Sequence, residues 1–130
     1  NAMVVGTHGS TFGGNPLAMA VGNAVMDLLL ESGRLNDVAR KANYFRKHLQ
    51  ELVEDFPEVL ASAHGLGLMI GLKCKVANTD MLNKLREKKL VVGTSGENML
   101  RLLPPLNVSD EHLDKALGII EETLQEFQST

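Results

Sequence analysis

The sequence contains few of the residues on which several classes of protein depend. Its single cysteine, Cys74, excludes an internal disulfide framework and a zinc site built from cysteines, and favours a reducing cytoplasm. It has no tryptophan, and one tyrosine with four phenylalanines is too few for a surface that stacks bases or sugars. No apolar run approaches the roughly 18 residues of a transmembrane helix. A net charge of −3 argues against a nucleic-acid or membrane partner.

The length of 130 residues suits one domain, with or without a short extra arm. Asn1-Ala2-Met3 is typical of the remnant of a cleaved tag followed by a start, and we leave residues 1–3 out of the fold prediction. The glycine-rich loop that follows is an abrupt beginning, which indicates a fragment. A boundary near residues 31–33 separates an apolar first helix from an amphipathic remainder, and so divides the chain into 4–32 and 33–130.

Hydrophobic periodicity and capping residues predict four helices. Asn15 and Pro16 begin the first helix, which is apolar over most of its circumference and therefore expected to be buried on several sides. Gly33 supplies its left-handed end. The others are predicted from Leu35 to Phe56, from a cap at Asn78 or Thr79 to Lys88, and from a cap at Ser109 onward.

Short apolar runs in the middle of the chain predict strands. These are Val59–Ala63, Leu66–Cys74, Leu90–Gly93 and Met99–Leu103, with a turn at Thr94–Asn98 between the last two. Pro104-Pro105 ends the last strand because proline cannot donate to a ladder. Strands with helices before and after them predict an α/β fold, a two-layer sandwich in which helices cover one face of a small, mostly antiparallel sheet.

Two segments stand out as candidate sites. Gly6 to Gly14 combines glycines with the hydroxyl residues Ser10 and Thr11, so it is either a nest of anion-binding donors or a flexible linker. Arg101 is the one charged residue in Met99–Leu106. It either grips a carboxylate with its two-pronged guanidinium or lies on the solvent face by simple strand alternation.

The remaining motifs favour structural roles. Gly65-x-Gly67-x-x-x-Gly71 has one residue too many for a dinucleotide fingerprint, and is typical of a strand that bends or approaches another backbone closely. His8 and His64 are predicted in loops, and none of the four histidines has a neighbour at metal-ligand spacing, so no metal site is predicted. Cys74 is expected to be a buried small hydrophobe, with a Cys-His catalytic pair as the alternative.

Three blocks together resemble a known family. They are Gly6-Thr7-His8-Gly9-Ser10-Thr11-Phe12-Gly13-Gly14-Asn15-Pro16-Leu17-Ala18, His64-Gly65-Leu66-Gly67-Leu68-Met69-Ile70-Gly71-Leu72, and Asn98-Met99-Leu100-Arg101-Leu102-Leu103-Pro104-Pro105-Leu106. In this order and spacing they are similar to the C-terminal part of the class III (ornithine-type) aminotransferases, which depend on pyridoxal 5′-phosphate. The resemblance covers nearly the whole chain from Val4.

The resemblance implies a fold and roles for particular residues. It implies a cofactor-phosphate loop and interdomain helix at 4–32, and at 33–130 the C-terminal small domain of the fold type I pyridoxal-phosphate transferases. Ser10 and Thr11 match hydroxyls that reach across a homodimer to the cofactor phosphate of the second subunit. Arg101 matches the arginine that holds a substrate carboxylate, which we take to be the α-carboxylate. The partners implied are the chain's own large domain, the second subunit, and amino-acid and 2-oxo-acid substrates.

Two departures limit what the resemblance implies. His64 stands where many members have arginine, so no role is carried over to that position. The family's Schiff-base lysine lies in the large domain upstream, so no catalytic residue is assigned here and no activity is expected of this chain alone. The whole enzyme would move an amino group from acetylornithine, in arginine biosynthesis, or from ornithine, succinylornithine or 4-aminobutyrate to 2-oxoglutarate. The alternative is a non-catalytic, stand-alone small domain that binds a partner or an anion.

Overall fold

The computed structural model of the chain describes residues 4–129. The tag remnant predicted at residues 1–3 lies outside that range. The chain divides into two compact units, the first ending at Leu35 and the second beginning at Asn36. We describe each unit by itself.

The first unit consists of a loop followed by helix α1, Pro16–Leu30. Asn15 caps this helix as predicted, because its side-chain oxygen accepts a hydrogen bond from the Ala18 amide at 2.9 Å. The helix ends at Leu30 because Glu31 leaves the helical conformation, with a ψ of 136°. Gly33 has the predicted left-handed φ, +86°, but it lies in the turn after this cap and is not the residue that ends the helix. The sequence led us to expect burial of α1 on several sides, yet none of its residues is buried in this structure.

The second unit contains the sheet and the other helices. Along the chain these are α2 (Arg34–Asp55, beginning two residues before the unit boundary), β1 (Leu60–Leu66), β2 (Met69–Cys74), α3 (Asn78–Glu87), β3 (Gly93–Ser95), β4 (Met99–Leu102) and α4 (Asp110–Gln128). Within residues 4–129 the strands form one sheet in the order β1-β2-β4-β3, and every neighbouring pair is antiparallel.

Helices cover one face of this sheet. Ile70 and Leu72 of β2 point into the same layer as Leu100 of β4, and all three are buried. The helices supply the other side of the core with Phe45, Leu49, Leu52, Met81, Leu85, Leu113, Leu117, Ile120 and Leu124. Residues that alternate with these along the strands lie on the opposite face. This arrangement is the predicted two-layer α/β sandwich.

The predicted strand boundaries were wrong at two places. Leu66 belongs to β1, not to β2, because the chain reverses at Gly67-Leu68 between the two strands. Strand β3 begins at Gly93, where the predicted strand ended. The preceding segment ends helix α3 instead: the Leu90 amide donates to the Leu85 carbonyl, and Lys89 has a φ of +69°.

The predicted N-cap of α3 was also wrong. Ala77 occupies the cap position without a side-chain bond, and Asn78 is the first helical residue. The Asn78 side chain donates instead to the Met99 carbonyl at 3.0 Å, while the Asn78 amide donates to the Asn98 side chain at 2.9 Å. Asn98, which lies 20 residues further along the chain, thus accepts the hydrogen bond that a local cap would have accepted.

An ion-pair cluster joins α3 to α4 and predicts a pH dependence of stability. Lys84 contacts the Glu126 carboxylate at 2.7 Å and Lys88 contacts it at 2.9 Å, and hydrogen bonds from these lysines lower the pKa of Glu126 to about 2. A carboxyl whose pKa is lower in the folded state stabilises the fold above its unfolded pKa, here 4.5. That contribution is lost as the pH falls from 4.5 towards 2.

The measurement is urea unfolding of the chain between pH 6 and pH 2.5, at low and high salt. Glu126→Gln should flatten the acid limb of the stability profile, whereas Glu121→Gln on the exposed surface of the same helix should not. Because the cluster is solvent-exposed, high salt should reduce the difference between wild type and Glu126→Gln. Identical acid limbs for these two proteins at low salt would contradict the prediction.

Candidate functional site

Arg101 lies in the middle of the sheet, on the face opposite the buried core. Its neighbours on the same β4 strand, Leu100 and Leu102, point into the core, so alternation turns Arg101 outward and leaves it exposed. In the register of the sheet, one row crosses all four strands. It consists of His64 in β1, Gly71 in β2, Arg101 in β4 and Gly93 in β3.

Arg101 is therefore flanked by glycine on both sides. Residues directly opposite each other on antiparallel strands normally pack side chain against side chain. At Gly93 there is no side chain, and a Cβ built there would lie 3.4 Å from Nη2 and 3.5 Å from Nε of Arg101. Nε and Nη2 of the guanidinium thus lie next to the backbone of Gly93 in the edge strand β3. Neither glycine of the row places a side chain beside them.

A pocket of about 310 Å³ opens beside this guanidinium. It is lined by His64, Gly65, Leu66, Met69, Ile70, Gly71, Ser95, Met99, Leu100 and Arg101. Arginine is the only side chain of this lining with a permanent charge, and none of the residues is acidic. An apolar pocket with one fixed cation is suited to a small aliphatic carboxylate, which an arginine binds with two parallel hydrogen bonds.

The turn before β4 is held by Asn98, which the sequence analysis did not single out. Its side-chain amide donates to the carbonyls of Cys74 and Val76, each at 2.7 Å, in addition to accepting from Asn78. Its φ of +60° is tolerated best by glycine and asparagine. In the sequence, an asparagine before an apolar strand is a weak indication of this role, because the partners of Asn98 lie 20 to 24 residues away.

The second predicted site lies in the first unit. Ser10 and Thr11 are exposed in the loop before α1, and neither hydroxyl has a hydrogen-bond partner within residues 4–129. The Ser10 side chain folds over Gly13, where an added Cβ would lie 2.7 Å from its oxygen. By contrast, the Thr7 hydroxyl is bound to the Val4 carbonyl at 2.7 Å. The two free hydroxyls fit an anionic group such as a phosphate, which needs such donors.

The structure also locates the other residues that the sequence analysis singled out. His64 was predicted in a loop, but pairing with Gly71 places it in strand β1. Cys74 is buried as predicted, and burial raises the pKa of its thiol to about 11, which keeps it uncharged at neutral pH. In the described part of the chain, no group of three histidine, cysteine or acidic side chains is arranged to hold a metal ion. The described helices also include none with the length and apolar character needed to span a membrane.

Comparison with protein families gives one match that spans most of the sequence. The model of the family described as aminotransferase class-III matches residues 1–124. The chain belongs to the class-III aminotransferases. The family resemblance seen in the three sequence blocks is thereby confirmed, and so is the assignment to an aminotransferase family that depends on pyridoxal phosphate.

Curated relatives within the class-III aminotransferases include several acetylornithine aminotransferases. The protein of that name from Mesorhizobium japonicum is 50% identical over 118 residues, which are 91% of this chain and 30% of that protein. The one from Brucella melitensis is 42% identical over 95% of this chain and 30% of its own length. The chain therefore spans about a third of the length of the curated relatives that it matches.

Solved aminotransferase structures share the fold. The ornithine delta-aminotransferase of Plasmodium falciparum superimposes with a TM-score of 0.86 at 30% identity, over 98% of this chain and 33% of that one. The acetylornithine aminotransferase of Elizabethkingia anophelis gives a TM-score of 0.83 at 31% identity, over 95% and 33%. These matches confirm the predicted fold, a two-layer α/β domain of the fold type I pyridoxal-phosphate transferases.

Proposed function

We propose that this chain is the C-terminal part of an acetylornithine aminotransferase. In this proposal the whole enzyme transfers the ω-amino group of N-acetylornithine to 2-oxoglutarate, a step of arginine biosynthesis. The name is supported by the 50% identity to the Mesorhizobium protein and by several further relatives of the same name. The coverage of about 30% of these relatives supports its being one part of a longer enzyme.

The observation that carries the proposal is the setting of Arg101. Every amino-acid and 2-oxo-acid substrate of an aminotransferase presents a carboxylate, and it must be held in one orientation while the amino group reacts. Arg101 is exposed and offers a planar set of donors beside an apolar pocket that has no acidic residue. We assign to Arg101 the role of binding the substrate α-carboxylate.

The cofactor proposed for the whole enzyme is pyridoxal 5′-phosphate. When bound, it supplies an electron sink for the charge that develops on the substrate α-carbon. The residues of this chain that suit it are Ser10 and Thr11, whose hydroxyls are free to donate to its phosphate. In the proposal they serve the second subunit of a homodimer, while the large domain supplies the lysine that binds the cofactor. We place this homodimer in the cytoplasm.

The test is a comparison of donors in the full-length enzyme. Acetylornithine, ornithine, succinylornithine and 4-aminobutyrate are each assayed with 2-oxoglutarate, and the proposal expects the highest kcat/KM for acetylornithine. A higher value for another donor would assign the chain to a different ω-aminotransferase. The 130-residue chain alone should show no turnover and no borohydride-reducible adduct with pyridoxal phosphate at one specific lysine. Turnover by the chain alone would overturn its assignment as one part of the enzyme.

We predict that Thr11→Ala in the full-length enzyme increases the rate of cofactor dissociation. A hydrogen bond from a hydroxyl to a charged phosphate is worth about 1.5–3 kcal/mol, so affinity for the cofactor should fall roughly 10- to 150-fold. The rate at saturating cofactor should change much less. Dissociation is followed by the absorbance of the released cofactor during dialysis.

Two variants make this prediction specific. Thr11→Ser keeps the hydroxyl and should retain the cofactor nearly as well as wild type. Because the hydroxyl is proposed to act across the dimer, a heterodimer with one mutant subunit should have one weak and one normal cofactor site. Unchanged dissociation in Thr11→Ala would remove this residue from the site.

A further inference from the structure

The side chain of Met99 lies over the bare backbone of Gly71. An added Cβ at Gly71 would overlap the Met99 methyl group, Cε, and would lie 3.7 Å from its sulfur. Gly71 is the neighbour of Arg101 in the row across the sheet, whereas Met99 belongs to the next row, opposite Lys73. Met99 thus reaches diagonally into the place that a side chain at position 71 would fill.

This placement puts a methyl group next to the guanidinium. Arg101 leans towards β3, over Gly93, and the methyl of Met99 occupies the β2 side of the same row. Both residues line the 310 Å³ pocket, together with the exposed apolar side chains of Leu66 and Met69. A ligand whose carboxylate binds Arg101 therefore meets an apolar wall with the carbon atoms that follow.

We propose that Met99 is a specificity-determining residue of the Arg101 site, and that Gly71 acts as a positioning residue by leaving room for the Met99 methyl. The ligand class is a carboxylate followed by an aliphatic carbon chain, as in the proposed amino-acid substrates, and the thioether contacts the methylene groups of that chain. Methionine suits this task because its flexible side chain adapts to an aliphatic surface. The inference rests on the proposed carboxylate-binding role of Arg101. It adds the residue whose contacts make affinity depend on the length of the attached chain.

The experiment uses the 130-residue chain with its methionine methyl groups labelled with carbon-13. Acetate, butyrate and hexanoate are titrated into it, and the shifts of the Met99 methyl and the Arg101 Nε–H resonances give the dissociation constants. Each methylene buried against the apolar wall should tighten binding by roughly two- to fourfold, so butyrate should bind about 4 to 16 times more tightly than acetate. Acetate measures the arginine contact alone.

Met99→Ala should leave the dissociation constant of acetate unchanged and remove most of the increase in affinity with chain length. Met99→Leu should restore part of that increase. Gly71→Ala should shift the Met99 methyl resonance and weaken butyrate more than acetate. The matched control is Gly96→Ala in the turn before β4, where an added Cβ has nothing within 4 Å, and it should behave as wild type. If Met99 had only a structural role, Met99→Ala would change the dissociation constants of all three carboxylates by the same factor.

An equal dependence on chain length in wild type and Met99→Ala would overturn the inference, and so would an Arg101 resonance that does not respond to any carboxylate. Failure of the proposed function is recognised separately, because it is measured by turnover of the full-length enzyme. A full-length enzyme without transaminase activity, together with a chain whose Met99 methyl responds as described, would overturn the proposed function and leave this inference standing.

Discussion

Arg101→Lys in the full-length enzyme is expected to lower kcat/KM by about 30-fold to several-thousand-fold, for both the amino donor and the oxo-acid acceptor. Lysine keeps the positive charge but replaces the planar, two-pronged donor group by a single ammonium. Losing a desolvated, bidentate contact to a carboxylate costs roughly 2–5 kcal/mol of transition-state binding. Both half-reactions should suffer because, in the proposed role, each substrate presents a carboxylate to Arg101.

The stability of the fold should change much less. Arg101 is exposed, and the neighbours that anchor its strand, Leu100 and Leu102, are buried and unaffected by the substitution. Steady-state kinetics with glutamate and with the ω-amine donor, paired with thermal unfolding, separate the two effects. Arg86→Lys, an exposed arginine on α3 outside the pocket, is the matched control and should be silent in both assays.

A wild-type kcat/KM for both substrates in Arg101→Lys would show that strand alternation alone explains the position of this residue. A loss of activity that follows a loss of folded protein would contradict the expected stability, because the substitution should leave the buried layer intact. The expected result is therefore a low kcat/KM in a protein that unfolds at the same temperature as wild type.

Gly65→Ala is expected to destabilise the second unit by about 3–5 kcal/mol. Gly65 lies in β1 with a φ of +150°, a backbone conformation that costs a residue with a side chain roughly 1–3 kcal/mol. An added Cβ would also overlap the Met69 carbonyl oxygen and lie 2.8 Å from the Ile70 Cα. Both are backbone atoms, which cannot rotate away, so strands β1 and β2 must move apart.

The matched control lies two residues away in the same hairpin. Gly67 also has a left-handed φ, +58°, but an added Cβ there meets nothing within 4 Å. Gly67→Ala should therefore cost only about 1–2 kcal/mol, the ordinary penalty of the left-handed conformation. Urea unfolding of the 130-residue chain measures both variants. Equal destabilisation by the two substitutions would show that the close backbone approach at Gly65 contributes nothing.

Several elements of this protein could be predicted from the sequence because their causes are local. Asn15 and Ser109 each cap the helix that follows within three residues, and Gly33 adopts its left-handed φ in the turn after α1 because it has no side chain. The core face of α4 follows from apolar residues at helical spacing within a single segment. The glycines of the β1–β2 hairpin likewise predicted a bend or a close backbone approach. The approach of Gly65 to the backbone of Met69 and Ile70 confirms that prediction.

Other features depended on partners that are distant along the chain. The failure to predict the start of α3 has this cause, because Asn78 bonds to Asn98 and Met99 instead of capping its own helix. The sequence could not show that Asn98 connects the β3–β4 turn to the residues that precede α3. A hydrogen bond across 20 or more residues leaves no periodic pattern in the sequence by which to recognise it.

The sequence by itself determined the fold class, the family and the residues that could carry the site, because capping, periodicity and specific motifs are properties of contiguous segments. It left open whether Arg101 is an exposed side chain without a ligand or binds a carboxylate, since strand alternation predicts an outward side chain in either case. Only the tertiary structure decided what surrounds that side chain. The register of three strands places Gly71 and Gly93 on either side of Arg101, and a shift of one residue would exchange the faces of each strand.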